Sequence, residues 1–217
     1  MPGSITAQIL KKPPLELALR ATLSFGFALW LSTQSGAPVL ERLLPFYEQA
    51  VHALDDHYRI ELALTRRDGH NAIGSDLVLL GRAAVTRPMV VLGDAHPVVL
   101  VPGQTLQSST AIGIFMQPAV LILGLLLAWP VRSMREACVR GSVGAVLLAL
   151  WLLAGIPLSL WIYFQTVPLQ AFAAHELFLS VVAGKFLLNG GSAVIGAGLA
   201  ACAIAAGHRM LVRQPRQ

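Results

Sequence analysis

Residues 113–163 read GIFMQPAVLILGLLLAWPVRSMREACVRGSVGAVLLALWLLAGIPLSLWIY, and this stretch decides the fold. Two apolar runs flank a short turn that carries three arginines, Arg132, Arg135 and Arg140. A membrane-spanning helix needs about 20 apolar residues, and both runs approach or exceed that length. Arginine is costly inside a bilayer and is retained on the cytoplasmic side. The pattern therefore predicts a membrane hairpin whose turn faces the cytoplasm.

The composition of the whole chain agrees with this interpretation. Its 217 residues are 55% hydrophobic and only 12% charged, whereas soluble domains carry about 25% charged residues. The net charge is +5, but the positive charge lies largely at predicted membrane-facing ends, and no basic patch with aromatic residues accompanies it. The composition predicts an α-helical integral membrane protein that contacts the lipid bilayer and no nucleic acid.

Residues 15–35 form the first predicted membrane helix. Lys11 and Lys12 precede it and place the N-terminus in the cytoplasm. A cleaved signal peptide has a similar pattern and stays an alternative, but no small-residue cleavage site follows. We therefore expect an uncleaved anchor, with residues 1–36 forming a cytoplasmic lead and the first membrane helix.

Residues 37–109 are expected to form a periplasmic insertion between the first and second membrane helices. Apolar residues recur at three- and four-residue spacing over residues 37–54, which predicts an amphipathic helix. Residues 58–102 change to a two-residue alternation with turn-rich gaps, which predicts a small β-unit of about four strands. Its histidines, His57, His70 and His96, lie in or beside predicted turns, where solvated histidines are common.

Residues 110–217 are expected to contain three membrane helices and a cytoplasmic tail. We divide the last apolar region into an interfacial helix over residues 169–184 and a membrane helix over residues 186–206, with one long helix as the alternative. Arg209 and Arg213 follow and are expected inside. The total is about four membrane helices, with both termini cytoplasmic, in a bacterial inner membrane.

Small residues recur along two faces of the last predicted helix. Ser192, Gly196 and Ala200 share one face, and Gly198 and Cys202 share another. Such faces let helices approach closely, because no bulky side chain separates their backbones. Each face is a candidate for packing within the chain or against a partner subunit.

Other polar residues are weaker candidates. His175 and Glu176 open an apolar segment, which is interrupted by Lys185 and again by Asn-Gly-Gly at residues 189–191. One His-Glu pair without a second ligand cluster is more typical of a polar helix entrance than of a metal site, and Lys185 can extend to the interface. These patterns predict no catalytic residue, no metal site and no cofactor.

Several short motifs occur in a fixed order after the N-terminal anchor. They are LLPFY at residues 43–47, PAVLILGLLLAWP at 118–130, RxxR at 132–135 and LLNGG at 187–191. With the β-unit between them, this arrangement resembles the exosortase H-associated membrane proteins. Exosortases themselves are membrane cysteine transpeptidases with a Cys, an Arg and then an Arg or His. Here no cysteine precedes residue 113, and no Asn-x2-Arg closes the helix of residues 141–163.

The resemblance implies a non-catalytic accessory subunit of an exosortase-like sorting system, which binds or presents substrate or stabilises the sorting enzyme. A structural subunit of another envelope assembly, such as a secretion or conjugation machine, is the alternative. A second alternative is a membrane cysteine transpeptidase that uses Cys138, since Glu136-Ala-Cys138 is similar to the lead of exosortase active sites. The predicted topology disfavours it, because Cys138 is expected inside and His175 outside.

Overall fold

The computed structural model describes residues 14–67, 76–92, 97–172 and 179–212. Helices account for most of these residues, and the strands form a small sheet and a separate hairpin. The chain divides into two compact units. The first unit combines the described parts of Met1–Gln34, Pro118–Leu148 and Ala193–Gln217. The second combines those of Ser35–Gln117 and Ala149–Ser192.

The first helix, α1 (Pro14–Leu54), is continuous over 41 residues, although the sequence predicts a membrane helix and a separate amphipathic helix there. Pro38 and Pro45 lie inside it. A proline removes one backbone hydrogen bond and bends a helix. The helix continues past the proline when the turns that follow are packed against the rest of the protein. Tyr47 and Val51 are each 1% exposed, so burial of the amphipathic face continues the helix beyond both prolines.

Five strands follow α1. They are β1 (Tyr58–Arg67), β2 (Asp76–Val85), β3 (Met89–Leu92), β4 (Pro97–Leu100) and β5 (Thr105–Ala111). An antiparallel sheet has the order β1-β2-β5, and β3 pairs with β4 as a separate hairpin. The sequence predicts the first four strands. It does not predict β5, because Leu106 is the only large apolar residue in that strand and the two-residue alternation is weak.

The core of the second unit joins the sheet to helices. Tyr58, Ile60 and Leu62 are buried on alternate positions of β1, as expected for a strand with one covered face. The backbone N–H of Leu62 donates to Glu48 Oε1 of α1 at 2.7 Å. Since β1 is an edge strand, this bond satisfies a donor that no neighbouring strand reaches.

Three helical stretches are long and apolar enough to cross a membrane: Leu15–Leu54, Met134–Thr166 and Leu179–Arg209. A further apolar helix, α2 (Ile112–Ala128), has 17 residues. At 1.5 Å per residue it extends about 26 Å, slightly less than a bilayer core of about 30 Å. The described helices therefore fit an integral membrane protein, with three long candidate spans and one shorter apolar helix.

The second long stretch is interrupted once. It consists of α3 (Met134–Leu150), a π-helical turn (Trp151–Gly155) and α4 (Ile156–Phe172). A π-helical turn accommodates one extra residue and is often found where side chains must be re-aimed. Here Trp151 is buried at the start of that turn.

The last apolar region is divided at a different place from the predicted one. Helix α5 (Leu179–Phe186) and helix α6 (Ser192–Val212) are separated by Leu187–Gly191. Gly190 has a φ of 101°, which side-chain-bearing residues rarely adopt, so the helix ends there. Lys185, the predicted divider, lies in the last turn of α5 and is exposed. A lysine is compatible with a helix, whereas the Asn189-Gly190 conformation is not.

Candidate functional site

The start of α3 carries a buried ion pair. Glu136 and Arg140 are 4% and 2% exposed, and Arg140 Nη2 donates to Glu136 Oε1. The two residues are four apart, so their side chains lie on the same face of the helix. A buried charge without a partner costs several kcal/mol, and each residue provides the other with its opposite charge.

Further hydrogen bonds tie this pair to the α2–α3 turn. Arg140 Nη1 donates to the carbonyl oxygen of Trp129 at 3.0 Å. The backbone N–H of Arg132 donates to Glu136 Oε2 at 2.9 Å, and the backbone N–H of Glu136 donates to Ser133 Oγ at 3.2 Å. The Ser-x2-Glu spacing is the sequence signal of a capping box, so this cluster could have been found from the sequence.

The three arginines that set the predicted topology have different environments. Arg132 and Arg135 are exposed, as residues at a membrane boundary are expected to be. Arg140 is buried against the turn that it stabilises. Its positive charge is therefore largely compensated by Glu136, so Arg132 and Arg135 carry the net positive charge of the turn.

A cavity of about 280 Å³ opens beside the ion pair, between the turn and α6. The turn contributes Trp129 and Arg132 to its lining, the start of α3 contributes Glu136, and α6 contributes His208. The helices approach closely next to it, because a Cβ atom at Gly207 would lie 3.3 Å from Cβ of Arg140. The cavity brings a cationic side chain, an aromatic ring and a histidine together, and no sequence motif indicated it.

The first small-residue face of α6 points into the protein. Ser192, Gly196 and Ala200 are all buried. A Cβ atom at Gly196 would lie 2.6 Å from Cα of Pro118 in α2, closer than a real contact allows. Gly196 is therefore required for the close approach of the two backbones.

The second small-residue face of α6 is open. Gly198 and Cys202 are exposed, and a Cβ atom at Gly198 would meet no atom within 4 Å. The two candidate faces, which look equivalent in the sequence, thus have opposite environments.

Polar groups near the α5–α6 break are paired within the second unit. Ser192 Oγ donates to Gln117 Oε1 at 2.9 Å, and the indole Nε1 of Trp151 donates to the carbonyl oxygen of Phe115 at 2.9 Å. In an apolar environment each unpaired polar group is costly, so these bonds stabilise the interior of the unit.

Asp55, Asp56 and His57 form the only group of candidate metal ligands among the described residues, with ligand atoms within 4.8 Å of one another. The group is already bonded within the chain, since the His57 ring contacts Asp55 Oδ1 at 2.8 Å and Arg87 pairs with Asp56. Partial burial acts to raise the pKa of Asp55. Hydrogen bonds from His57 and Gln165 outweigh it, so that pKa lies below its usual value. This arrangement stabilises the α1–β1 junction.

The remaining candidates are distributed over the surface or fall outside the described residues. Cys138, Lys185 and Arg209 are exposed. The predicted sites that lie outside the described part of the chain are Lys11, Lys12, His70, His96, His175, Glu176 and Arg213. Two groups of residues are therefore assembled in the described part of the structure, the Glu136 cluster and the inner face of α6. Neither group has the residues of a catalytic site.

These helices and their paired internal polar groups fit the class of integral membrane proteins. The sequence matches no known family model, and neither the curated proteins nor the solved structures contain a significant match to it.

Proposed function

We propose that this protein is a non-catalytic accessory subunit of an exosortase-like protein-sorting system in a bacterial inner membrane. The resemblance of residues 43–47, 118–135 and 187–191 to the exosortase H-associated proteins suggests this role. The observation that carries it is the open small-residue face of α6, around Gly198 and Cys202. A face of this kind suits close contact with a helix of another membrane protein.

We further propose the arrangement of the chain in the membrane. Four helices cross the bilayer, both termini are cytoplasmic, and the strands lie in the periplasm. The supporting observation is that Arg132 and Arg135 are exposed in a short turn, where the positive-inside rule applies most strongly. The periplasmic strands then lie on the side on which exosortases act.

Co-purification with a tagged exosortase-like enzyme from the same genome tests the proposed function. The wild-type protein should be recovered with the enzyme. Gly198→Leu should remain folded, because the position is open, and should reduce recovery about tenfold if the enzyme contacts this face. Loss of one close helix contact is worth roughly 1–2 kcal/mol, or about one decade of affinity.

Gly196→Leu is the matched control on the inner face. It should lower thermal stability in detergent, because the new side chain collides with Pro118, and overpacking typically costs about 1–3 kcal/mol. If the wild-type protein does not co-purify with any exosortase-like enzyme, the proposed function is wrong. If the wild type is recovered and Gly198→Leu is recovered equally well, the partner binds elsewhere.

A further inference from the structure

The cavity beside the Glu136 ion pair has two chemically different walls. Ala201, Ile204 and Ala205 of α6 form an apolar wall, and they recur at the spacing of one helix face. The α2–α3 turn forms the other wall, which includes the Arg132 side chain and the Trp129 ring. A ligand that fits both walls must itself have a polar and an apolar part.

The charge of the cavity is positive. The Glu136 carboxylate lines it, but one oxygen is bonded by Arg140 and the other by the backbone N–H of Arg132. No ion pair of the Arg132 side chain is present among the residues that the structure describes. Arg132 is thus the cation that a ligand in the cavity would meet, because the charge of Glu136 is balanced by Arg140.

The position of the cavity suggests the source of such a ligand. It lies where α2 ends and α3 begins, between apolar helices that fit a membrane. Tryptophan and arginine are enriched at the level of the lipid headgroups, and basic pockets between membrane helices bind anionic headgroups.

We propose that this cavity binds an anionic phospholipid, with the phosphate at Arg132 and His208 and the start of an acyl chain against Ala201, Ile204 and Ala205. A guanidinium donates two parallel hydrogen bonds to a phosphate, which gives both charge and geometric complementarity. The volume of about 280 Å³ is suited to a headgroup and the first carbons of a chain. Pockets for drug-sized ligands begin at about 300 Å³, so this cavity is slightly smaller than that range.

Phosphatidylglycerol should be preferred to phosphatidylcholine and phosphatidylethanolamine. The zwitterionic lipids bring a positively charged ammonium group close to the Arg132 guanidinium, and Arg140 already balances the charge of the Glu136 carboxylate. Phosphatidylglycerol carries the same phosphate without that positive charge.

Lipid binding to the full-length protein, delipidated in a neutral detergent, tests the proposal. Native mass spectrometry and thermal unfolding are recorded during titration with phosphatidylglycerol, phosphatidylcholine or inorganic phosphate. We expect saturable binding of one phosphatidylglycerol and an increase in unfolding temperature that neither of the other two ligands produces. Equal stabilisation by phosphatidylcholine would overturn the charge argument, and equal stabilisation by inorganic phosphate would overturn the assignment to a lipid.

Two variants and a charge-matched control locate the site. Arg132→Gln should weaken phosphatidylglycerol binding about tenfold or more, since a hydrogen bond to a charged group is worth about a decade of affinity or somewhat more. The turn should stay folded, because it is held by the Arg132 backbone and by Arg140. Ala205→Trp, which fills the apolar side, should also weaken binding.

Arg209→Gln removes the same charge from an exposed position outside the cavity lining, and it should bind like the wild type. Equal losses in Arg132→Gln and Arg209→Gln would mean that only net charge matters, and the cavity would not be the site. Unchanged binding in both Arg132→Gln and Ala205→Trp would overturn the proposal as well.

Discussion

Arg140 is an arginine of the predicted topology-setting turn, but its side chain is buried and has a structural role. An arginine in a cytoplasmic turn usually marks topology and remains in water. Here the guanidinium is buried, paired with Glu136 and bonded to the carbonyl oxygens of Trp129 and Pro130. Three partners hold the α2–α3 turn in one conformation, and the wall of the cavity depends on that conformation.

Removal of Glu136 should therefore destabilise the protein strongly. Glu136→Leu leaves Arg140 buried without its counter-charge, and breaking a buried pair from one side costs about 3–5 kcal/mol. Thermal unfolding in detergent should show a clear decrease. The exposed Glu41→Leu is the control and should change stability little.

A double variant separates the charge from the packing. In Glu136→Leu/Arg140→Met neither charge remains, and such apolar replacements of a buried pair are often neutral. We expect the double variant to be more stable than Glu136→Leu alone. A double variant as unstable as the sum of the two single variants would show that Glu136 and Arg140 do not act as a pair.

Among the elements, the break between α5 and α6 depends on the backbone conformation of two residues. Asn189 leaves the helical region at φ −93° and ψ 28°, and Gly190 continues at a φ of 101°. The new helix then begins at Ser192, whose hydroxyl bonds Gln117.

Gly190→Ala should destabilise the protein, although there is room for the methyl group. A Cβ atom would meet nothing within 4 Å, so any effect must come from the left-handed backbone. That conformation costs about 1–2 kcal/mol for a residue with a side chain.

Gly198→Ala is the matched control, since it has equal space and lies inside α6. It should be neutral or slightly stabilising, by up to about 1 kcal/mol. Both variants are compared by thermal unfolding in the same detergent. If they have the same stability, the conformation of Gly190 does not contribute to the break.

For the whole molecule, the exposed native cysteines offer a direct test of the proposed topology. Cys138 lies in the first turns of α3, beside the arginine turn. In a Cys202→Ser background, a membrane-impermeant maleimide added to spheroplasts should leave Cys138 unlabelled, and it should label Cys138 after permeabilisation.

A cysteine on the strand side should behave in the opposite way. Thr105→Cys, exposed at the start of β5, should be labelled in intact spheroplasts when both native cysteines are replaced by serine. Labelling of Cys138 together with protection of Thr105→Cys would reverse the proposed orientation of the whole chain.

Local sequence patterns determined the class of protein and the positions of most elements. Whether a segment enters a bilayer depends on its own length and apolar composition. This is why the apolar character of residues 113–129 and 141–163 could be recognised without knowledge of any neighbour, although the helix Ile112–Ala128 is shorter than the three candidate spans. The two-residue alternation in β1 and β2 is equally local, so these strands were also predictable from the sequence.

Tertiary structure alone decided the features that depend on contacts between residues distant in the sequence. Gly196 and Gly198 are both glycines of one helix, but only Gly196 meets Pro118, which is distant in the sequence. In the same way, α1 continues past two prolines because its later turns are packed, and β5 forms because β2 offers it an edge. Such contacts join residues far apart in the chain, so their energies do not appear in any local pattern of composition or spacing.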